Sequence, residues 1–466
     1  MLSRILPDSI SRYFVAAEQH TDPAPSQEDH HSPIQSLPPE LLQEIFAFSA
    51  SPFPDPRPVS MKMPRRMRFQ TNSLCISRVC RQWRYLSFAT PEMWSWMIIS
   101  SPDELCVKLV QYYLRRAGRT QPLHLSLTEY PWPSSPEAEN QFTLAIFALW
   151  IPEAHRWKRI EFEFHHTPPI LDLINLSPSS LGGVTSVSLR TRWPEETTQL
   201  FWDILHTSPA LREVQWPVQL LRDPNSASVA QLTFICAPHL DLSWTEFFSL
   251  LSCCTRLRDI EVGVASITEA EARSTTRTIL VPSLETLLLV SDSSGIGACH
   301  LLDYTRAPNL RELKMYVSQR DPTVLRRFIF ESGCVLRKLT LKGTNSMRSE
   351  EGVLLDFLLQ ASPYLTSLEV CMLHHDLLSC RTICALSPQI VDGAISILLP
   401  SVISLIILVI DSVPEGVIGD MLLRRAQHGA LPWIFEVHFA RDNKIQAWDK
   451  EITSQLQKYG LRASYY

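Results

Sequence analysis

A short apolar pattern that returns at nearly constant spacing constrains the fold of this chain more than any other feature. From Trp157 to the unit that starts at Leu365, nine segments follow L-x-x-L-x-L, with other apolar residues allowed at the L positions. Their start-to-start spacings are 27, 27, 21, 25, 27, 26, 26 and 29 residues. Because alternate residues of a strand share one face, each segment predicts a strand with one apolar face. One such unit cannot bury that face alone, so neighbouring units must stack.

The apolar positions of the nine segments are Trp157/Ile160/Phe162, Val184/Val187/Leu189, Leu211/Val214/Trp216, Leu232/Ile235 (a partial match), Leu257/Ile260/Val262, Leu284/Leu287/Leu289, Leu310/Leu313/Met315, Leu336/Leu339/Leu341 and Leu365/Leu368/Val370. Looser matches follow after 37 and 32 residues, at Val402/Leu405/Ile407 and Ile434/Val437/Phe439. Helical apolar spacing occupies several of the intervals, and it predicts helices at Glu195–His206, Thr245–Cys253, Pro322–Glu331 and Glu350–Gln360. The sequence therefore predicts an α/β fold of strand–helix units.

The N-terminal part has a different character. Residues 1–32 are rich in proline, charge and polar side chains and are predicted to be disordered. A helix is predicted from the prolines after Leu37, because proline is tolerated in the first helical turn. A proline-rich stretch at about 52–71, with a basic cluster from Lys62 to Arg68, then separates this helix from a second helical pattern that starts at Leu74.

Three linked motifs in this region resemble those of the F-box domain, in the form seen in fungal proteins. They are I-Q-S-L-P-P-E-L-L-Q-E-I-F at residues 34–46, V-C-R-Q-W-R at residues 79–84 and T-P-E-M-W at residues 90–94. The long proline-rich connection departs from a compact F-box. The resemblance implies a small three-helix domain that docks onto a Skp-family adaptor and, through it, a cullin. The adaptor-binding residues that it implies are Leu37, Pro38, Pro39, Leu41, Leu42, Ile45, Phe46, Val79, Trp83 and Trp94; the alternative is that they form only the core of a small helical domain.

The repeated segments resemble a degenerate leucine-rich-repeat region, since such repeats span 20–29 residues and contain a short strand and a helix. The expected fold is therefore α/β: a small three-helix F-box domain followed by a leucine-rich-repeat solenoid, an irregular horseshoe. The expected boundaries are 1–32 for the disordered segment, 33–98 for the F-box domain, 99–155 for a linking helix with a first strand or cap, and 156–466 for the solenoid.

The residues between the apolar positions are predicted to line the concave face and to contact a target protein, or else to be only solvated. This face comprises Arg159, Glu161, Glu163, Ser186, Ser188, Arg190, Glu213, Gln215, Asp259, Glu261, Glu312, Lys314, Tyr316, Lys338, Lys342 and Glu369. The residues that we select as target-binding are Arg190, Gln215, Asp259, Glu261, Lys314, Tyr316, Lys338 and Lys342. Mixed charge and a net charge of −5 favour a protein target over nucleic acid.

Composition and spacing argue against an enzyme. The 11 cysteines include no C-x-x-C pair, and the 14 glycines form no phosphate-binding loop. The pairs His30-His31, His165-His166 and His374-His375 are unsuited to chelation, because adjacent residues of a strand point to opposite faces. We interpret Glu161 and Glu163 as an ordinary solvated pair rather than a glycosidase pair. No catalytic residue, cofactor or metal is expected.

The expected function is that of the substrate-receptor subunit of an SCF (Skp–cullin–F-box) ubiquitin ligase. The alternative is an F-box and repeat scaffold without ligase duty, which the long proline-rich connection suggests. The longest apolar run, at residues 394–410, contains Pro400 and is too short to span a membrane, so a cytoplasmic or nuclear protein without membrane partners is expected.

Overall fold

The computed structural model describes residues 34, 37–50, 69–129, 136–165, 170–191, 195–216, 229–265, 278–291, 296–317, 323–343, 355, 358, 364–372, 380–391, 394–410, 416–432, 434–439, 447–458 and 460–465. The chain divides into two compact units. We call the described residues within Met1–Pro52 and Asn72–Met93 the head unit, and those within Phe53–Thr71 and Trp94–Tyr466 the sheet unit. The predicted disordered segment, the basic cluster from Lys62 to Arg68 and most of the predicted helix at Glu350–Gln360 lie outside the described residues.

The head unit contains three helices: α1 at Pro39–Ala50, α2 at Asn72–Ile76 and α3 at Arg81–Phe88. Helix α1 buries Leu42, Phe46 and Ala50, whose spacing of four residues places them on one face. The Phe46 ring lies 4.7 Å from the ring of Trp83 on α3, so an aromatic contact joins the first and third helices.

Side chains of α2 hold the remaining parts of the head unit in place. The Ser73 hydroxyl donates a hydrogen bond of 2.5 Å to the carbonyl of Met93, and the Asn72 amide donates one of 3.2 Å to the carbonyl of Ser49. Helix α3 begins after Cys80, whose sulfur accepts a hydrogen bond from the backbone N–H of Trp83. These bonds connect the start of α2 to the end of α1 and to the end of the unit.

The sheet unit contains one 14-stranded sheet. Each of its strands pairs in parallel with its neighbours in the sheet. The expected α/β class is confirmed, and the structure adds that the sheet is large and parallel. Its strands are β1 Trp96–Ser100, β2 Leu123–Thr128, β3 Trp157–Phe164, β4 Ser186–Thr191, β5 Glu213–Gln215, β6 Phe234–Leu242, β7 Asp259–Val264, β9 Thr286–Ser291, β11 Glu312–Val317, β12 Lys338–Gly343, β13 Ser367–Met372, β16 Ser404–Ile410, β17 Ile434–Phe439 and β18 Arg462–Tyr465. Two small pairs lie outside it: β8 Ile279–Leu280 with β10 Thr305–Arg306, and β14 Gln389–Val391 with β15 Ala394–Ser396.

Helices lie between the strands in the chain. They are α4 Glu104–Ala117, α5 Pro136–Trp150, α6 Ile170–Ile174, α7 Glu195–Leu205, α8 Trp244–Cys253, α9 Ile296–Asp303, α10 Thr323–Ser332, α11 Cys380–Leu386, α12 Val417–Gln427 and α13 Ala447–Gln457. Short 3₁₀ helices occur at Pro91–Trp94, Ile151–Arg156, Pro178–Leu181 and Val229–Gln231. The predicted helices near residues 195, 245 and 322 correspond to α7, α8 and α10 within one residue at either end.

The central apolar residue of each repeated segment pairs with its counterpart on the next strand. Ile160 pairs with Val187 and Val187 with Val214, and the same row continues as far as Leu405. All members are buried. The row, in order, is Ile160, Val187, Val214, Ile235, Ile260, Leu287, Leu313, Leu339, Leu368 and Leu405.

The sequence-based alignment of the next unit was wrong by two residues. Phe435 pairs with Leu405 and is fully buried, whereas the prediction placed Val437 at that position. Ile434 pairs with Ser404 on the other face. The buried Pro432 occupies the leading position of the unit, where the pattern predicts leucine, and this hid the correct register.

The sheet also begins earlier than the repeated segments indicated. Met97 pairs with Leu125, and Leu125 with Ile160, so β1 and β2 add two strands to the same apolar row. The outer edge of β1 is covered by the end of the predicted proline-rich connection. There Phe69 forms an antiparallel bridge with Ile99, and the Gln70 N–H donates to the Ile98 carbonyl at 3.0 Å.

A buried guanidinium joins three segments near the C-terminal end of the sheet unit. Arg425 on α12 is fully buried and donates hydrogen bonds to four carbonyls: Nε to Ala430 at 3.0 Å, Nη1 to Leu386 at 2.9 Å and Leu398 at 2.8 Å, and Nη2 to Leu399 at 2.6 Å. Burial lowers the pKa of Arg425 to about 10, so the group stays charged at neutral pH. The N–H donors of the planar guanidinium reach the carbonyl of Leu386 at the end of α11, those of Leu398 and Leu399 after β15, and that of Ala430 after α12.

We expect Arg425→Lys to lower the free energy of unfolding by about 1–3 kcal/mol, because an ammonium has three donors for four buried carbonyls and leaves at least one of them without a donor. Arg424→Lys is the matched control: this neighbour is exposed, and its replacement should change the free energy by less than about 0.5 kcal/mol. Urea denaturation of the full chain measures both. Equal effects of the two substitutions would show that the four hydrogen bonds contribute little to stability.

Candidate functional site

Helix α1 of the head unit has a second apolar face that the unit does not cover. Leu41, Ile45 and Phe48 are 46%, 41% and 67% exposed, and their spacing of four and then three residues places them on one stripe. Leu42 and Phe46 on the opposite face are buried. A short helix that is apolar on both faces is typical of a protein that buries the outer face against a partner.

The predicted adaptor-binding residues fall into three groups by exposure. Pro38, Pro39, Leu41, Ile45 and Val79 are exposed; Leu37 and Trp83 are partly buried; Leu42, Phe46 and Trp94 are buried. Three further large apolar side chains of the head unit, Ile34, Phe48 and Tyr85, are exposed and were not among them. Phe48 follows Leu41 by seven residues, so helical periodicity alone could have added it to the stripe.

Trp94 does not fit the predicted adaptor-binding role. Its side chain is fully buried in the sheet unit, where its ring lies 5.6 Å from that of Tyr112 and 5.1 Å from that of Tyr113 on α4. It occupies the leading apolar position of the β1 repeat, three residues before Met97. The tryptophan that resembles the end of the F-box motif is therefore also the first core residue of the sheet.

The face of the sheet opposite the apolar row carries polar residues in aligned rows. One row contains Glu161, Ser188, Gln215, Cys236 and Glu261, one from each of β3 to β7. The three central side chains are buried, and the Ser188 hydroxyl donates to the Gln215 amide oxygen at 2.8 Å. The Cys236 thiol donates to Glu261 at 3.5 Å, and burial raises the pKa of this thiol. We call this row of five side chains the polar floor, and it has a carboxylate at each end.

Charged side chains lie beside this floor. Glu163 accepts a hydrogen bond from His165 at 3.2 Å and lies 3.8 Å from the guanidinium of Arg190. Burial raises the pKa of Glu161, and Arg159 and Arg190 oppose that shift. Arg190 is therefore close to a carboxylate that compensates its charge.

Of the eight predicted target-binding residues, the six whose side chains are described lie on the same face of the sheet. Asp259 and Glu261 lie on β7, Lys314 and Tyr316 on β11, and Lys338 and Lys342 on β12, while Arg190 lies on β4 and Gln215 on β5. Lys338 forms an ion pair of 2.6 Å with Glu312 on the neighbouring strand. Gln215 is buried and bonded to Ser188, so it belongs to the floor and leaves little surface for a target. The side chains of Tyr316 and Lys342 lie outside the described residues.

A stacked aromatic pair at the start of the same face was not predicted. The rings of Trp96 on β1 and His124 on β2 lie 3.9 Å apart and almost parallel. The Nδ1 atom of His124 is buried without a hydrogen-bond partner in the described part of the chain. Burial, with the nearby Arg159 and then Lys158, lowers the pKa of His124 to about 4. His124 is therefore neutral at physiological pH.

Among the described residues, no group of three or more His, Cys, Asp or Glu side chains could hold a metal ion. No described helix combines the length and apolar character that crossing a bilayer requires.

We expect the neutral His124 to make stability depend on pH between 6.5 and about 4. In this window the unfolded chain binds a proton that the folded chain does not, so stability falls as pH falls. His124→Phe, which keeps a ring for Trp96 to stack on, should remove about 1–3 kcal/mol of that pH-dependent loss. Chemical denaturation at pH 7 and pH 4.5 measures the difference, and His428→Phe, at an exposed position, is the control. The same pH-dependent loss in wild type and His124→Phe would contradict the assignment.

Comparison with known proteins gives no family. No protein-family model matches the chain, and no curated protein matches its sequence. Solved structures include a Bacteroides fragilis protein from a structural genomics programme that is 11% identical and covers 64% of this chain and 69% of its own, with a TM-score of 0.33. Identity and TM-score at this level establish neither a family nor a function.

Proposed function

We propose that the protein is the substrate-receptor subunit of an SCF-type ubiquitin ligase, in which the head unit is an F-box that docks onto a Skp-family adaptor. The observation that carries the proposal is the exposed stripe of Leu41, Ile45 and Phe48 on a helix whose other face is already buried. The three F-box-like motifs of residues 34–94 supply the identity of the partner.

Burial of the stripe against an adaptor has a clear energetic reason. A unit of three short helices has a small core of its own, and domains of this size gain much of their stability by covering apolar surface with a partner. Leu41, Ile45 and Phe48 remain largely exposed, so the gain from covering them is still available. The exposed Pro38 and Pro39 begin the same helix and extend the apolar surface towards its N-terminus.

The sheet unit suits the other half of this function, which is to hold a target protein. We propose that its parallel strands are the repeats of a degenerate leucine-rich-repeat solenoid, whose polar face binds the target. Repeated units of this kind form long, continuous surfaces, because each unit adds one strand to the same face. Chemistry resides in other subunits, and the contribution of this chain to the rate is to raise the effective concentration of the target beside the charged ubiquitin carrier.

We expect Leu41→Ala combined with Ile45→Ala to weaken binding to a co-expressed Skp-family adaptor by about 2–4 kcal/mol, or roughly 30- to 1,000-fold in Kd. The fold should persist, because neither side chain contributes to the core of the head unit. Titration calorimetry or pull-down measures the loss. The matched control is Leu105→Ala combined with Leu144→Ala, two leucines of the sheet unit with similar exposure.

A soluble wild-type chain without affinity for the adaptor would disprove the F-box assignment. Adaptor binding that the double substitution leaves unchanged would disprove the stripe as the docking surface. If the adaptor complex forms but does not recruit cullin, the chain acts as an interaction scaffold without ligase duty.

A further inference from the structure

Three neighbouring units of the large sheet expose an apolar side chain beside their leading residue, the first apolar residue of the repeated segment. Val335 and Tyr364 directly precede buried leading leucines, and Ile403 directly follows the buried Val402. These three side chains are 46%, 58% and 50% exposed. In the preceding units, from that of Val184 onwards, the residues on both sides of the leading position are all small or polar. The apolar exposure is therefore concentrated at one place on this edge of the sheet.

A ladder of backbone hydrogen bonds fixes the order of side chains along this edge. The Arg337 N–H donates to the Arg311 carbonyl at 2.7 Å, and the Thr366 N–H donates to the Arg337 carbonyl at 2.8 Å. The Ile403 N–H then donates to the Thr366 carbonyl at 2.7 Å. Each of these residues follows the leading residue of its unit, so the row advances by about 4.8 Å from one unit to the next. Three such steps separate the first member from the last, or about 14 Å.

Two adjacent guanidiniums begin this row without an acidic partner. Arg311 and Arg337 are exposed, and within the described part of the chain neither forms an ion pair. The carboxylate on the preceding unit, Glu285, lies 4.0 Å from the guanidinium of Arg258 on its other side. Like charges on directly neighbouring strands repel each other. An anionic group placed between Arg311 and Arg337 would therefore be attracted by both.

We call Arg311, Val335, Arg337, Tyr364 and Ile403 the leading-edge patch. Tyrosine and arginine are enriched at protein–protein interfaces, and exposed apolar side chains beside charged ones mark interaction sites. The guanidiniums lie at one end of the patch, and Tyr364 and Ile403 lie towards the other. A partner that fits both ends needs negative charge and apolar side chains together. A nucleic acid backbone fits less well, because its phosphates leave the apolar end uncovered.

We propose that the leading-edge patch binds a segment of the target protein that carries two acidic side chains and, about four extended residues away, apolar side chains. The acidic pair lies between Arg311 and Arg337, and the apolar side chains cover Tyr364 and Ile403. Four residues of extended chain reach about 13 Å, which matches the length of the row. This inference rests on the proposed role of the sheet unit in holding a target.

The test uses fluorescein-labelled peptides of about 12 residues and the full chain. Two probes, built mainly from serine, carry a pair of glutamates and, about four residues away, a leucine and a phenylalanine, in the two possible orders. One control peptide has lysines in place of the glutamates, and a second has serines in place of the leucine and phenylalanine. By fluorescence anisotropy we expect the better probe to bind about tenfold more tightly than either control.

Substitutions in the patch then locate the binding site. Arg311→Glu combined with Arg337→Glu should weaken probe binding about tenfold and make the lysine peptide the tighter ligand, because the charge at this end of the patch is reversed. Tyr364→Ser combined with Ile403→Ser should also weaken the probe about tenfold, but it should leave binding of the peptide without apolar residues unchanged.

Matched controls are Arg119→Glu and Leu200→Ser, at exposed positions of the sheet unit outside the patch. Neither should change the affinity of the probe. All the substituted side chains are exposed, so the fold should persist, and thermal unfolding of each variant verifies this.

Three outcomes would overturn the proposal. The first is equal binding of the probes and both controls to wild type. The second is equal binding of the probes and the peptide without apolar residues, which would indicate a surface for anions in general, nucleic acid included. The third is a folded charge-reversed variant that still prefers the glutamate peptide.

Adaptor pull-down with the same preparations separates this inference from the proposed function. Adaptor binding without peptide preference refutes the inference alone. A peptide preference that reverses with the charge of Arg311 and Arg337 supports the leading-edge patch even if the adaptor does not bind and the ligase assignment fails.

Discussion

The sheet unit depends on one packing arrangement, the row of apolar side chains that pairs strand after strand from Met97 to Phe435. Each residue of the row is buried and pairs with its counterparts on the adjacent strands. Because side chains alternate along a strand, a buried row on one face necessarily sets a second row on the other face. The polar floor from Glu161 to Glu261 is therefore positioned by the apolar packing behind it.

Periodicity predicted the parts of the fold that repeat. In the 14-stranded sheet, the strands from β3 to β16 lie where the pattern placed them, since leucine, isoleucine or valine occupies the central position of each unit. The pattern missed units whose leading residue differs: Trp94 before β1 resembled an F-box motif, and Pro432 before β17 shifted the register by two residues. Phe69 and Gln70 were not predicted to join the sheet either, because a single antiparallel bridge leaves no periodic signal.

The candidate sites were predictable to different degrees. Helical spacing gives the stripe of Leu41, Ile45 and Phe48, but it does not distinguish this stripe from the buried one, since both have the same periodicity. Strand alternation places Gln215 and Glu261 on the polar face. It does not show that Gln215 is bonded to Ser188, because that contact joins two strands. Arg425 gave no sequence signal, since its partners are backbone carbonyls.

The antiparallel bridge of Phe69 also covers part of a sheet edge, the kind of surface through which sheets aggregate. An uncovered strand at the edge of a sheet exposes a line of unpaired N–H and C=O groups and recruits strands of other molecules. Phe69 and Gln70 cover part of that line on β1, and the Tyr113 hydroxyl secures this cover by donating to the Gln70 carbonyl at 3.1 Å. Shortening residues 52–71 to the length found in a compact F-box would therefore remove this cover. The uncovered edge of β1 would then be a surface on which chains polymerise.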